Sequence, residues 1–180
     1  KLVVPKTANK KRAMAVLNSV YLLKNLINTP ANDCTPSYIE KTARGLAKDF
    51  QGTITVTKDS NLEKQFPLVH MVGKAADEKP RLIDLKWGNA KHPALTIVGK
   101  GVSFDSGGLN IKPGNGMALM KKDMGGAAHA LALGRLVMAL GLKVRLRVIV
   151  PAVENAISGN AFRPSDIMKS RKGLTVENIN

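Results

Sequence analysis

Residues 99–126 hold the side chains whose types and spacing could do chemistry. Two aspartates, Asp105 and Asp123, stand 18 positions apart in this segment, and each has glycines close by. Carboxylate oxygens are hard ligands of the kind that Mg²⁺, Mn²⁺ and Zn²⁺ accept. Lys100 and Lys112 accompany them. On residue types alone, such a set is more often a solvated loop than a cation site.

Other catalytic motifs do not explain this segment. Lys100 lacks the upstream glycine and the following Ser or Thr of a phosphate-binding P-loop, and no Gly-x-Ser-x-Gly elbow surrounds Ser103 or Ser106. The three histidines are scattered without His-Glu-x-x-His spacing. Residues 104–107 (FDSG) match the aspartic-protease signature, but those enzymes need two such aspartates, so one copy would have to act in a homodimer.

The surrounding sequence alternates between helix and strand patterns. Apolar residues at helical spacing predict an amphipathic helix over residues 13–27, and Thr35 followed by Pro36 predicts a second helix that ends near Phe50. Strands are predicted at residues 53–57, 68–72, 81–86, 94–98 and 143–150, a shaped loop at 99–116, and a largely helical segment at 117–140 with a break or delay at Gly125-Gly126. This alternation predicts an α/β domain whose sheet is covered by helices.

Composition narrows the class of protein. The chain has 180 residues, of which 44% are hydrophobic, and this excludes a disordered basic tail. No apolar run is long enough to span a bilayer, so we expect no membrane association. The single cysteine, Cys34, excludes an internal disulfide framework and makes the reducing cytoplasm the default compartment. We expect a structural role for Cys34.

The charge is unbalanced, with 28 Lys and Arg against 13 Asp and Glu and a formal net charge of +15. Such a surplus is typical of proteins that bind nucleic acid or another polyanion. A basic nucleic-acid-binding module is therefore an alternative function. Aromatic residues make up only 4% of the chain and no reader motif is present, which makes nucleic acid possible but not expected.

Three segments together resemble the leucyl (cytosol) aminopeptidase family of dinuclear metallo-exopeptidases. They are residues 98–108 (VGKGVSFDSGG), 111–113 (IKP) and 120–128 (MKKDMGGAA). The intervals between Lys100, Asp105, Lys112 and Asp123 are five, seven and eleven, as in the family. Residues 28–32 (NTPAN), 154–155 (EN) and 162–166 (FRPSD) also resemble family segments. The resemblance implies a mixed sheet flanked by helices.

The resemblance also implies a role for each site residue. Lys100, Asp105 and Asp123 would hold two divalent metal ions, Mn or Zn, which activate a water as the nucleophile. Lys112 would be the catalytic residue that polarises the scissile carbonyl, and with Met120 and Asp123 it would bind substrate. Glycines 107, 108, 125 and 126 would let the backbone approach the ions. The substrates would be peptides with a free N-terminus, from which leucine-like residues are released.

Two further expectations concern the extent of the chain. Residues 1–28 would form a linker helix region, and residues 29–180 the N-terminal part of the catalytic domain. In the family, a strand like residues 174–177 leads into Asn-Thr-Asp-Ala-Glu-Gly-Arg, whose first residue would be Asn180. We therefore expect a piece that lacks the remaining metal ligands and is inactive alone. The full-length protein would be a cytoplasmic homo-hexamer.

Overall fold

The computed structural model describes Pro5 and residues 7–179. Asn180, which would begin the expected Asn-Thr-Asp-Ala-Glu-Gly-Arg segment, lies outside the described residues. Within this part of the chain, no helix is both long and apolar enough to cross a membrane.

The described residues form an α/β structure. Its helices are α1 (Lys10–Asn28), α2 (Pro36–Asp49), α3 (Asp59–Gln65), α4 (Pro67–Gly73), α5 (Gly114–Met117), a 3₁₀ helix (Met120–Met124) and α6 (Gly125–Leu140). Its strands are β1 (Thr53–Lys58), β2 (Arg81–Trp87), β3 (Ala94–Val98), β4 (Gly101–Asp105), β5 (Arg145–Asn155), β6 (Ile167–Lys169) and β7 (Thr175–Glu177).

The main sheet is mixed, as the resemblance implies. The strand β2 pairs antiparallel with both β1 and β5. On its other edge β5 pairs in parallel with β3 and then with β4, so that these two short strands follow each other along one long partner. A separate antiparallel pair is formed by β6 and β7. The long strand β5 is therefore the centre of the architecture.

Helices cover both faces of the main sheet. On one face α2 and α6 bury the apolar side chains of β5, where Gly134 of α6 comes close to Val148. On the opposite face Gly73 at the end of α4 lies against Val153. Alternate residues of β5 are consequently buried, while Arg145 and Arg147 remain exposed on the second face, as the alternating sequence predicts.

The predicted helix starts are confirmed where capping chemistry defines them. The Thr35 hydroxyl accepts a hydrogen bond from the Tyr38 N–H, and Pro36 occupies the first turn of α2. Phe50 follows the last residue of that helix, as expected. The amphipathic helix over residues 13–27 is also present, and as α1 it begins three residues earlier and packs against α6.

Two predictions of secondary structure are wrong. Residues 68–72 were expected to form a strand, but they lie in α4, where Pro67 fits the first helical turn. Residues 101–105 were expected to belong to a loop, but they form β4. In the helical segment 117–140, Gly125 marks a change of type, because a 3₁₀ helix precedes it and α6 follows.

A buried ion network joins α2 to the first two strands. The Glu40 carboxylate accepts hydrogen bonds from Arg81 at 2.8 Å and from Arg44 at 2.9 Å, and Lys58 Nζ lies 2.7 Å away. The Arg81 side chain is 7% exposed and also pairs with Glu78 at 2.9 Å. Burial by itself raises the pKa of Glu40, but these three cations outweigh it and lower the pKa to about 2.

Replacing this carboxylate with an amide tests the network. We expect Glu40→Gln to lower the free energy of unfolding at pH 7 by about 2–3 kcal/mol, somewhat less than a fully broken buried pair because Glu78 still faces Arg81. Since the folded pKa is lowered, this stabilisation is complete above pH 4.5 and is lost as the pH falls toward 2. Urea unfolding at pH 7 and pH 3 measures both effects.

Arg44→Gln is the matched control. The Arg44 side chain is 51% exposed, so its removal should cost less than about 1 kcal/mol. A Glu40→Gln loss that is the same at pH 3 as at pH 7 would show that charge pairing is not its cause.

Candidate active site

The site begins where β4 ends. Gly101 and Val102 pair with Ala152 and Val153 of β5, and the register then shifts so that Asp105 lies opposite Asn155. An irregularity of this kind rotates the strand and re-aims the side chains that follow it. It brings the carboxylate of Asp105 beside the last residue of β5.

The Asp105 carboxylate is held on both oxygens. Its Oδ1 accepts hydrogen bonds from the Gly107 N–H at 2.9 Å and from Asn155 Nδ2 at 2.7 Å. Its Oδ2 lies 3.3 Å from Lys112 Nζ, and the side chain is 13% exposed. Burial alone raises the pKa of Asp105, but the hydrogen bonds from Gly107 and Asn155 and the charge of Lys112 outweigh it and lower the pKa.

A closed turn brings Lys112 back to Asp105. The Lys112 N–H donates to the Ser106 carbonyl at 2.9 Å, which closes residues 106–112 into a loop. Gly107 adopts a φ of +90°, where a side chain would also collide with the Asn110 carbonyl. Only glycine satisfies both conditions, so the glycine next to Asp105 has a conformational reason to be there.

Lys100 and Asp123 form a second pair. Lys100 lies between β3 and β4, and its Nζ is 2.8 Å from Asp123 Oδ2 on the 3₁₀ helix. The lysine side chain is 61% exposed and the aspartate is 15% exposed. The contact is an ion pair, and Asp123 Oδ2 is buried without a well-aligned hydrogen-bond donor.

The start of α6 fixes the backbone of Lys100. The Ala127 N–H donates to the Lys100 carbonyl at 2.8 Å. A Cβ on Gly126 would lie only 2.8 Å from the Lys100 nitrogen, whereas one on Gly125 would have nothing nearer than Ile27 Cδ1 at 3.8 Å. Gly126 is thus explained by a close approach of two backbones, a different reason from the expected approach to ions.

Met120 lies beside this second pair. It begins the 3₁₀ helix, three residues before Asp123, and it is half-buried. A 3₁₀ helix has about three residues per turn, so side chains three apart project from the same side. Met120 is therefore expected on the same side of the 3₁₀ helix as Asp123.

The sequence-predicted residues therefore come together in two ion pairs. Lys112 joins Asp105, and Lys100 joins Asp123. Within the described residues no salt bridge links one pair to the other, and no group of three or more His, Cys, Asp or Glu side chains converges.

The donor chemistry fits divalent cations in part. Two carboxylates and an amine are available. Among the described residues, the buried Asn155 Oδ1 has no hydrogen-bond donor, and Asp123 Oδ2 has only the Lys100 ammonium at 2.8 Å. Oxygen ligands with one nitrogen suit Mn²⁺ and Zn²⁺. Two carboxylates are few for a pair of such ions, so a dinuclear centre would need further ligands.

Asn155 is the site residue that sequence reasoning missed as a functional side chain. The Glu-Asn dipeptide is part of the family resemblance, but the strand was predicted to end at Val150. In the structure β5 continues for five residues to Asn155, which is 8% exposed. A polar residue that ends a long apolar strand is the local signal that could have drawn attention to it.

The expected structural role of Cys34 agrees with its surroundings. The side chain is buried at 1% exposure in the core between α1, α2 and α6. Burial raises the pKa of the thiol to about 11. A thiol of this kind stays protonated near neutral pH and is a poor nucleophile.

Comparison with known proteins identifies related sequences and folds. The sequence profile described as "Cytosol aminopeptidase family, catalytic domain" matches residues 21–180. A probable cytosol aminopeptidase of Ralstonia nicotianae is 41% identical over 172 residues, which are 94% of this chain and 34% of that relative. The chain thus spans about a third of the length of the curated relatives it matches.

Solved structures are similar to this fold as well. The cytosol aminopeptidase of Coxiella burnetii is similar with a TM-score of 0.95 and 50% identity, over 98% of this chain and 38% of that one. The bottromycin maturation enzyme BotP, solved in complex with Mn, is similar with a TM-score of 0.89 and 33% identity, over 97% of this chain and 38% of that one.

The fold is therefore that of part of an aminopeptidase catalytic domain. The chain belongs to the cytosol aminopeptidase family. This confirms the family resemblance and the mixed α/β fold. Because the chain belongs to this family, the aspartic-protease alternative is rejected.

Paired alanine substitutions test how the start of α6 positions Lys100. We expect Gly126→Ala to lower the free energy of unfolding by about 1–3 kcal/mol, because its Cβ would overlap the Lys100 backbone. Gly125 has a helical φ of −56° and open space, so Gly125→Ala should be neutral or stabilise by about 0.4–1 kcal/mol. Urea unfolding measures the free energy of both variants. Equal effects of the two substitutions would contradict a specific requirement for glycine at position 126.

Proposed function

We propose that this chain supplies part of the active site of a metal-dependent aminopeptidase, which releases leucine-like residues from peptides with a free N-terminus. The observation that carries this proposal is the presence of two lysine–aspartate pairs on adjoining elements: Lys112 pairs with Asp105 at the end of β4, and Lys100 pairs with Asp123 on the 3₁₀ helix that packs against β4. The similarity to an enzyme solved in complex with Mn supports the need for a divalent cation.

Lys100, Asp105 and Asp123 are the proposed metal ligands. The ions, two Mn²⁺ or Zn²⁺ as the family implies, would supply Lewis acidity and activate water for attack on the peptide bond. Lys100 would ligate through its unprotonated amine, so a cation bound there would replace the present ion pair with Asp123.

Lys112 is the proposed catalytic residue. Its ammonium lies 3.3 Å from Asp105 Oδ2 and is 24% exposed, so it is anchored by the site and still accessible to a substrate. A positive charge fixed in this way can polarise the scissile carbonyl and stabilise the negative charge that develops on its oxygen.

Met120 and Asp123 are proposed to contact the N-terminal residue of the substrate. The half-buried thioether of Met120 offers a soft apolar wall for a leucine-like side chain. The Asp123 carboxylate, on the same side of the 3₁₀ helix, can accept a hydrogen bond from the free amino group of the peptide.

The described ligands are proposed to be insufficient by themselves. Asp105 and Asp123 contribute two carboxylates, whereas two divalent ions in a carboxylate-rich site need more oxygen donors to hold them. We infer that the 180 residues alone bind metal weakly and catalyse little.

The remaining expectations stay predictions. The division into residues 1–28 and 29–180, the cytoplasmic location and the homo-hexamer follow from the family resemblance and from composition. The exposed apolar side chains of α1 are compatible with an assembly; they are Met14, Val16, Leu17, Val20 and Tyr21.

Lys112→Ala tests the catalytic proposal in the whole protein. We expect it to lower kcat for a leucine anilide by about 100–1,000-fold, the usual loss when one group that stabilises an oxyanion is removed. Metal content should stay the same, because Lys112 is not among the proposed ligands. Steady-state kinetics and elemental analysis measure these two quantities.

The control is Lys122→Ala, which removes an exposed lysine of the 3₁₀ helix that carries Asp123; Lys122 makes no ion pair with any described residue. It should keep the wild-type rate. A chelator should abolish hydrolysis and added Mn²⁺ should restore it, whereas cleavage that resists the chelator would refute the metal mechanism.

The incomplete ligand set has its own test. The purified 180-residue polypeptide should show little or no hydrolysis of leucine anilide, even with excess Mn²⁺, because two carboxylates retain two cations poorly. Robust hydrolysis by this polypeptide that disappears in Asp105→Ala would overturn the expectation.

A further inference from the structure

Asn155 occupies a special position opposite Asp105. It is the last residue of β5, it is 8% exposed, and the strand register places it directly beside Asp105. Its side chain is therefore packed inside the structure next to one of the proposed metal ligands, and 50 residues of sequence separate the two.

The Asn155 amide, together with the Gly107 N–H, holds one oxygen of Asp105 and leaves the other facing Lys112. Asn155 Nδ2 donates to Asp105 Oδ1 at 2.7 Å, and the Gly107 N–H donates to the same oxygen at 2.9 Å. With two donors on Oδ1, the carboxylate cannot rotate without losing both bonds. Oδ2 then faces Lys112 and is the oxygen left for any further partner.

Hydrogen bonds also fix the backbone of Asn155. Its carbonyl accepts hydrogen bonds from the Ser106 N–H at 3.0 Å and from Ser106 Oγ at 2.7 Å. The amide cannot turn over, because that rotation would bring Asn155 Oδ1 against Asp105 Oδ1, two oxygens without a hydrogen between them.

The other side of the amide is tightly enclosed. Asn155 Oδ1 is buried and accepts no hydrogen bond from the residues that the structure describes, and a Cβ on Gly108 would lie 3.0 Å from it. A buried acceptor without a donor costs free energy, on the order of 1–3 kcal/mol. The hydrogen bond from Nδ2 of the same amide to Asp105 is therefore kept even though Oδ1 has no donor.

We propose that Asn155 is a positioning residue of the metal site, which orients the Asp105 carboxylate so that Oδ2 is offered to a divalent cation. The inference rests on the proposed function, in that Asp105 is taken to be a ligand. Outer-shell partners that orient a ligand typically affect metal affinity by about 10–100-fold.

The test is Mn²⁺ binding to the whole protein, followed through the electron paramagnetic resonance signal of free Mn²⁺. Asn155→Leu removes the amide and keeps the backbone bonds to Ser106, and we expect about 10–100-fold weaker binding. Asn155→Ser, which is too short to reach Asp105, should weaken binding similarly and serves if the leucine variant folds poorly.

Ser103→Ala is the matched structural control. The Ser103 hydroxyl is buried on β4 and donates to the Val153 carbonyl at 3.2 Å, so its loss removes a side-chain bond between the same two strands without touching Asp105. Its Mn²⁺ affinity should stay within about threefold of wild type, because no bond to a ligand changes. Thermal unfolding without metal compares the stabilities of all variants.

A second readout separates positioning from general damage. Excess Mn²⁺ should restore leucine-anilide hydrolysis in Asn155→Leu, since the ligands remain present, but it should not restore Lys112→Ala. Asn155 variants that bind Mn²⁺ like Ser103→Ala, while Asp105→Asn loses binding, would overturn this inference alone. Absence of Mn²⁺ binding in the wild type, or wild-type binding in Asp105→Asn, would overturn the proposed function and this inference with it.

Discussion

The parallel pairing of β4 with the end of β5 is the interaction on which the site depends. It continues the pairing of β3 along the same strand: Val98 lies opposite Ile149 and Gly101 opposite Ala152, so the register is unchanged across the interruption. The shift that follows sets Asp105 beside its partner on β5. A slip by one residue would send the carboxylate to the other face of the sheet.

The two-residue interruption between β3 and β4 supplies the second half of the site. Gly99 and Lys100 leave the regular strand, and the backbone of Lys100 rests against the first turn of α6. The 3₁₀ helix that precedes α6 brings Asp123 to the Lys100 ammonium. The long strand β5 therefore positions Asp105, the close backbone contact with α6 positions Lys100 near Asp123, and the closed turn of residues 106–112 brings Lys112 to Asp105.

Local sequence was enough to predict the elements with strong signals and to recognise the family. Capping at Thr35 and alternation in β5 are local properties and were predicted correctly. The short apolar run at residues 68–72 fits strand or helix equally well, and its packing on β5 selected the helix. The glycines around β4 looked like loop signals, but Gly101 allows a close approach to the Pro151 carbonyl within a strand. The Asn155 contact joins residues 50 positions apart, so no local pattern contains it.

The central claim is that Asp105 and Asp123 hold divalent cations in an aminopeptidase site. The most direct test is a crystal structure of the whole protein with Mn²⁺, with anomalous scattering measured at the manganese edge. We expect anomalous peaks within bonding distance of Asp105 Oδ2 and of Asp123, with the Lys100 amine as a ligand instead of the partner of Asp123 in an ion pair. Anomalous peaks elsewhere, with both lysine–aspartate pairs intact, would contradict it.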